Sequence, residues 1–338
     1  MIFAIETSCD ETSTSIIDLK GKILSHIIAK QEIHQDYGGV VPEIASRAHT
    51  QILQKIIPKT FLKANISVSS ISAYCATCGP GLIGGLLIGS TIAKSMALAS
   101  NKPFYPINHL EGHALSVQIN NKINYPFILL LITGGHTLLY LVKKIGNYKF
   151  LGTTVDDSVG ETFDKVAKML NMPYPGGPLI EKTALLGNPY GIKLPRPLIV
   201  NKKLNFSFSG LKTAVKLKIN KDNIKNKNFI NDLCSSFQQA IIDVLIKKTE
   251  MAILKVKKQH PELKSLVVAG GVAANKKINK SFSVLSKNHN LKYFSPPLNL
   301  CGDNAAMIGW ACLQRYKLGY KGDINFKPRP RWGLEELK

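Results

Sequence analysis

The chain has 338 residues, 45% of them hydrophobic. That length is more than one compact core usually serves, and the composition is too apolar for a disordered chain. Lysine and arginine number 44 against 22 acidic residues, a formal charge of +22, which points to a polyanionic partner, nucleic acid or an anionic surface. Part of that charge reflects a general richness in Lys, Ile and Asn, and residues 221–228 (KDNIKNKN) read as solvated loop. The apolar stretches 127–132 and 81–93 fall short of the ~20 residues of a membrane helix. The start MIFAIETSCDET has no basic region before an apolar run, so the expectation is a cytoplasmic protein without signal peptide or membrane span.

Residues 2–7, 12–19 and 23–29 read as three short strands, the last two separated by the turn signal Lys20-Gly21-Lys22. A helical pattern covers 43–62, where Pro58 is expected to bend or split it. A strand at 71–76, a helix at 84–99 and a strand at 104–107 follow. Cys75 and Cys78 have CxxC spacing, but no second pair and no nearby histidine completes a zinc set. Buried small residues closing a strand, in a reducing compartment, are the expectation. The second half repeats the order: strands at 126–132, 137–142 and 148–153, helices at 161–170 and 229–258, a strand at 266–269, a helix at 274–285, a strand at 291–294 and a helix at 304–318.

Three strands, helix, strand, helix, strand, helix occurs twice. The pattern resembles the duplicated, two-lobed α/β fold of the actin, Hsp70 and sugar-kinase superfamily, in which the first turn of each lobe faces an interlobe cleft. Two unrelated α/β domains are the alternative. The expected division is 1–108 plus 305–325 as the N-terminal lobe and 109–304 as the C-terminal lobe. Residues 172–228, rich in Pro, Gly, Asn and Lys, fit neither repeat and read as an insertion shaping a substrate surface.

Three turns in this layout carry chemistry. Glu6-Thr7-Ser8-Cys9-Asp10-Glu11-Thr12 offers hydroxyls and backbone N–H groups to a phosphate or a metal-bound water, with carboxylates at Asp10 and Glu11; a polar hairpin is the plain alternative. Ile132-Thr133-Gly134-Gly135-His136 places a double glycine, tolerant of positive φ, where backbone donors can close on an anion, and His136 adds a donor. Val268-Ala269-Gly270-Gly271-Val272-Ala273-Ala274-Asn275 runs from a strand into a helix, a setting in which a purine or ribose lies against a helix N-terminus. Asn275 contacts such a nucleotide or caps the helix. The sequence matches neither GxGxxG nor a phosphate-binding P-loop.

His109 and His113, in Asn108-His109-Leu110-Glu111-Gly112-His113, share one helix face at i and i+4 and can grip one ion. Asp303, ahead of the last helix, is the candidate third ligand; a helix N-cap is its ordinary role. Two imidazoles and one carboxylate with open positions suit one Fe(II), with Zn(II) second. A zinc protease places its glutamate directly after the first histidine. Glu111 lies two residues on, roughly 200° around the helix, which disfavours peptide hydrolysis.

Together, ETSCDETS, GGVVPEIASRAH, GPGLIGGLLIG, NHLEGH, LITGGHT, GETFDK, YPGGP, FSFSGLK, GGVAANK and CGDNAAMIG resemble the TsaD (Gcp) family along nearly the whole chain. The resemblance implies a tRNA N6-adenosine threonylcarbamoyltransferase. Such enzymes carry a threonylcarbamoyl group from threonylcarbamoyl-adenylate to N6 of adenosine 37 in tRNAs reading codons that begin with A, and release AMP. It implies metal ligands at His109, His113 and Asp303. It implies adenylate contacts at Ile132, Thr133, Gly134, Gly135, His136, Asp164, Gly177 and Asn275. Some members have an aspartate four residues past that glycine, where this chain has Glu181. It also implies a TsaB-like heterodimer partner, a TsaE-like ATPase and an adenylate-forming synthase of the TsaC kind. Asp10 or Glu11 is the candidate acceptor of the amine proton. Arg47, Arg196, Lys202, Lys203 and Lys212 are candidates for tRNA phosphate contact. The rival readings are a small-molecule kinase on the same fold, a non-enzymatic scaffold and the metalloprotease.

Overall fold

The computed structural model describes residues 1–337. In chain order the elements are β1 (Ile2–Glu6), β2 (Glu11–Ile17), β3 (Ile23–Lys30), α1 (His34–Tyr37), α2 (Pro42–Ala64), β4 (Ala73–Gly79), α3 (Ile83–Ala99), β5 (Phe104–Asn108) and α4 (His109–Ser116). They continue with β6 (Phe127–Ile132), β7 (Thr137–Lys144), β8 (Asn147–Thr153), α5 (Val159–Met169), α6 (Gly177–Ala184), α7 (Ser209–Lys218) and α8 (Lys227–Lys257). Last come β9 (Ser265–Ala269), α9 (Lys276–Asn288), β10 (Lys292–Phe294) and α10 (Ala305–Lys317). Among the described residues no helix is long and apolar enough to cross a membrane.

The chain forms two compact units: residues 1–122 with 145–147 and 298–337, and residues 123–144 with 148–297. Residues 109–122 and 298–304, expected with the second lobe, group with the first. Each unit holds one five-stranded sheet, ordered β3-β2-β1-β4-β5 in the first and β8-β7-β6-β9-β10 in the second. The order is the same in both. β1 pairs antiparallel with β2 and parallel with β4; β6 pairs antiparallel with β7 and parallel with β9. The central strands read IFAIE and FILLLI and are buried throughout, as strands covered on both faces are.

In the first unit α10 and α3 cover opposite faces of the sheet. A Cβ at Gly309 of α10 would lie 3.2 Å from Ala4 Cβ, and one at Gly89 of α3 would lie 3.2 Å from Ile5 Cγ2. Successive strand residues point to opposite faces. In the second unit the core is built from β6, β7, β9, α5, α8 and α9. The expected insertion is ordered here: it contributes α6 and α7, and Ile180, Phe206, Phe208 and Leu211 join that core. Pro58 lies inside α2, which runs unbroken from Pro42 to Ala64; the helix is neither split nor ended at the proline. Cys75 and Cys78 are buried free thiols, and burial pushes the Cys78 thiol up to about 12.

Candidate metal centre and substrate loops

α4 begins where β5 ends because the Asn108 side chain accepts hydrogen bonds from the Leu110 and Glu111 backbone amides. Asn108 Nδ2 in turn donates to the Trp332 carbonyl at 2.9 Å. His109 is therefore the first helical residue and His113 stands one turn on, both buried. α10 is capped by Asn304, whose side chain accepts from the Met307 amide. The Ala305 amide donates to Ser13 Oγ at 2.9 Å. Asp303 is thereby held at the mouth of α10.

His113 Nε2 lies 3.0 Å and His109 Nε2 3.4 Å from the same oxygen, Asp303 Oδ1. The three ligand atoms all lie within 4.8 Å of one another, and among the described residues this is the cluster of histidine and carboxylate groups able to hold a metal. Atoms bound about 2.1 Å from one ion sit about 3.0 Å apart at right angles and about 3.4 Å apart at tetrahedral angles. The two histidine-to-aspartate separations fall at these values, and with all three ligand atoms inside 4.8 Å the donor set fits a single divalent cation once the imidazoles draw in on it. On its other side His109 Nδ1 meets Glu6 Oε2 at 3.0 Å and Ser8 Oγ at 3.1 Å. A carboxylate behind a ligand imidazole fixes its tautomer and orientation. His113 Nδ1 is buried with no hydrogen-bond partner.

Glu6 is wholly buried and also accepts from the Ser8 amide at 2.6 Å and from Thr77 Oγ1. Burial pushes its carboxyl up, but the charge and hydrogen bond of His109 outweigh this and leave it lowered. Burial likewise opposes the His109 imidazolium, and the Asp303 and Glu6 carboxylates outweigh it, holding His109 well above the usual histidine range. Burial lowers His113. Asp303, against its burial, is held well below the carboxylate range by the two imidazoles. Glu11 is pushed up to about 9 by burial and by the neighbouring Asp303 and Asp10 carboxylates. Carboxylates crowded in this way favour a cation among them.

The first turn is fixed from two sides. Thr7 Oγ1 donates to the Gly85 carbonyl at 2.8 Å. A Cβ at Gly85 would come within 2.1 Å of Thr7 O, and one at Gly89 within 2.2 Å of Thr7 Oγ1, so the glycines of α3 let that helix seat against the turn. From α2, a His49 Nε2–H donates to the Cys9 carbonyl at 3.0 Å and His49 Nδ1 accepts from Thr12 Oγ1 at 2.8 Å. The Ser8 hydroxyl belongs to the turn expected to carry chemistry, but Glu6 as the carboxylate behind His109, and His49, were not expected. Their partners are 37 to 103 residues away, a separation that spacing within a motif does not reveal.

In the second unit the loop Thr133–His136 joins β6 to β7 and is closed by a bond from the Thr133 amide to the His136 carbonyl at 2.8 Å. Ile132 ends β6 and is buried. Gly134 and Gly135 are exposed, and a Cβ on either would meet nothing within 4 Å. Neither has positive φ; the conformational freedom expected there is used at Gly270 instead, at φ +99°, where a Cβ would lie 2.4 Å from the Ile132 carbonyl. Gly160, at the start of α5, brings the helix onto this loop: its Cβ would lie 2.6 Å from Thr133 O, and the Glu161 amide donates to Gly134 O at 3.1 Å.

Asp164 of α5 accepts from the Gly176 amide at 2.8 Å, just ahead of Gly177, the first residue of α6. Asn275 caps α9, accepting from the Ile278 amide at 3.0 Å, while its Nδ2 donates to Gln238 at 2.7 Å. The capping role expected of it is thus present. Glu181 accepts from the Lys276 amide at 2.7 Å.

Comparison with known proteins decides the family. A profile of TsaD, tRNA N6-adenosine threonylcarbamoyltransferase, matches residues 22–310. The chain belongs to this family. The tRNA N6-adenosine threonylcarbamoyltransferase of Rickettsia bellii (strain OSU 85-389) is 50% identical over 339 residues, covering 99% of both chains. That of Bartonella bacilliformis is 48% identical over 347 residues, 99% of this chain and 95% of its own. Among solved structures, HypF from T. kodakarensis aligns over 94% of this chain and 48% of its own with a TM-score of 0.62 at 13% identity. That likeness concerns the fold alone, and it agrees with the duplicated actin-like α/β architecture. As a member of the TsaD family the chain is a transferase that acts on tRNA.

Proposed function

We propose that the chain transfers the threonylcarbamoyl group from L-threonylcarbamoyl-adenylate to N6 of adenosine 37 in tRNAs reading codons that begin with A, releasing AMP. The observation that carries the reading beyond family membership is the convergence of His109, His113 and Asp303 on one point. The three would hold one divalent cation per subunit, Fe(II) in preference to Zn(II). Such an ion, when bound, supplies Lewis-acid charge that polarises an oxygen of the donor.

The donor is a mixed anhydride. The N6 amine attacks its carbamoyl carbon, the bond from that carbon to the phosphate oxygen breaks, AMP leaves, and N6 loses a proton. The amine is a poor nucleophile, so orientation and stabilisation of developing charge carry the rate. Ile132, Thr133, Gly134, Gly135 and His136 are the candidates for the adenylate, with backbone donors in an open loop. Asp164, Gly177 and Asn275 are the further adenylate candidates of the second unit. Asp10 or Glu11 accepts the amine proton. Glu11, at about 9 without added positive charge, keeps its own proton at neutral pH, so its service as a base requires a cation beside it.

The chain acts in the cytoplasm with tRNA, a TsaB-like heterodimer partner and a TsaE-like ATPase. The test is mass spectrometry of tRNA nucleosides from cells depleted of the chain and complemented with it or with Asp303→Ala. Wild type restores threonylcarbamoyladenosine and the variant does not. Unchanged nucleoside after depletion would remove the assignment.

A further inference from the structure

Glu111 stands between the two histidines in sequence and on the far side of α4 from them. It is fully buried and grips Arg315 of α10, with Arg315 Nε to Glu111 Oε2 at 2.6 Å and Nη2 to Oε1 at 3.0 Å. The Arg315 guanidinium lies 4.9 Å from the Tyr320 ring centroid. The Tyr320 carbonyl accepts from Tyr105 Oη at 3.0 Å, so the arginine side of the pair is itself braced. α4 and α10 also touch at Gly112, where a Cβ would fall 2.8 Å from Ile308 Cδ1 and 3.2 Å from Met307 Cγ.

Two helices thus meet at three places: Asp303 with the histidines, Gly112 with Met307 and Ile308, and Glu111 with Arg315. Glu111 lies two residues from each histidine on the eight-residue α4 and on the opposite side of its axis. The pair therefore holds the roll of α4 about that axis. With it made, α4 cannot rock about the Gly112 contact; without it, a small rotation of α4 changes the separation of His109 and His113 from Asp303. Metal donors must be held to about 0.5 Å to bind well.

We propose that the buried Glu111–Arg315 pair is a positioning clamp that sets the spacing of His109 and His113 against Asp303, and so tunes metal affinity without touching the ion. The proposal rests on the metal reading given above. It gives Glu111 a role that its place in the helix denies it as a general base. The fork geometry matters: only an arginine presents two parallel donors to one carboxylate.

The experiment titrates the full-length, metal-stripped protein with Co(II), following its visible absorption bands, for wild type, Arg315→Lys, Glu111→Gln and the double variant Glu111→Met/Arg315→Met. Urea denaturation of each metal-free protein runs alongside. Removing one partner of a buried pair leaves an uncompensated charge, whereas replacing both by apolar side chains is often neutral for stability. The double variant is therefore expected to keep its urea midpoint and lose Co(II) affinity about tenfold or more, with altered bands. Arg315→Lys, which keeps the charge and loses the fork, is expected to show the same direction. The clamp is overturned if the double variant and Arg315→Lys bind Co(II) as wild type does with unaltered bands, or if affinity falls only in proportion to lost stability. The metal reading fails separately, when wild type and His113→Ala bind Co(II) alike.

Discussion

At the scale of single residues, the centre is defined as much by what stands behind the three donors as by the donors themselves. Glu6 is the last residue of β1 and has no exposed surface, yet its Oε2 carries the Nδ1 side of His109. Replacing it by glutamine keeps an acceptor but removes the charge, and Co(II) affinity is expected to fall about 10–100-fold, read by absorption titration; an unchanged affinity would show the carboxylate to be dispensable. Sequence reading chose Asp10 and Glu11 from the same turn because both were visibly acidic and adjacent. It passed over Glu6 because only the tertiary fold brings β1 to α4. A second residue makes a prediction about pH. His26 of β3 has a buried Nε2 with no partner, and burial, then the Lys63 charge, lowers it from 6.5 to about 4. Between those values the unfolded chain binds a proton that the native state refuses, so stability is full above about 6.5 and declines as pH falls toward 4. The loss is at most about 3 kcal/mol. Comparing urea midpoints at pH 7 and 4.5 checks this, and His26→Leu is expected to flatten the dependence.

At the scale of elements, small residues decide where helices can lie. Alanine at position 89 would favour the isolated helix by about 1 kcal/mol. Here its Cβ would meet a Thr7 hydroxyl already committed to Gly85, and overpacking of that kind costs about 1–3 kcal/mol. The net expectation for Gly89→Ala is a lower urea midpoint together with weaker Co(II) binding, because Ser8 follows Thr7 directly. A midpoint equal to wild type would mean that the turn yields freely. Pro58 is the opposite case. It is exposed and interior to α2, where a proline costs about 3 kcal/mol, offset by about 1 kcal/mol of restricted unfolded chain. Pro58→Ala is expected to stabilise the protein by about 1–2 kcal/mol in thermal unfolding. Sequence reading placed most element boundaries close to those found, since apolar runs and turn signals delimit them, but it missed α6 and α7. Their burial depends on contacts with α8 and α5 that a Pro-, Gly- and Lys-rich segment does not advertise.

At the scale of the whole molecule, the duplication was legible because order alone carries it: the same succession of strands and helices yields the same sheet order in both units. Which charges face a polyanion was not legible, because composition counts a lysine without saying what it holds. Of the five candidates, Arg196 reaches Asp243 at 2.9 Å and the Leu194 carbonyl at 2.7 Å, and Lys212 pairs with Asp157, which Lys165 also contacts. Arg47 has an exposed i,i+4 pair with Glu43, of the kind worth little. Lys202 and Lys203 are exposed. Only a cation that exchanges small counterions for phosphates contributes to the salt dependence of binding, at about 0.7–0.9 per contact in the slope of log K against log salt. Fluorescence titration of tRNA across a salt series is therefore expected to give a slope shallower by about 1–2 for Lys202→Ala/Lys203→Ala, with an unchanged urea midpoint. Arg196→Ala and Lys212→Ala are expected to lower the midpoint, with a loss of stability of about 1 kcal/mol or less given their partial exposure, and to leave the slope near that of wild type. The reverse pattern, a full slope change at Arg196 or Lys212 and none at the exposed pair, would place the tRNA on a different face of the insertion.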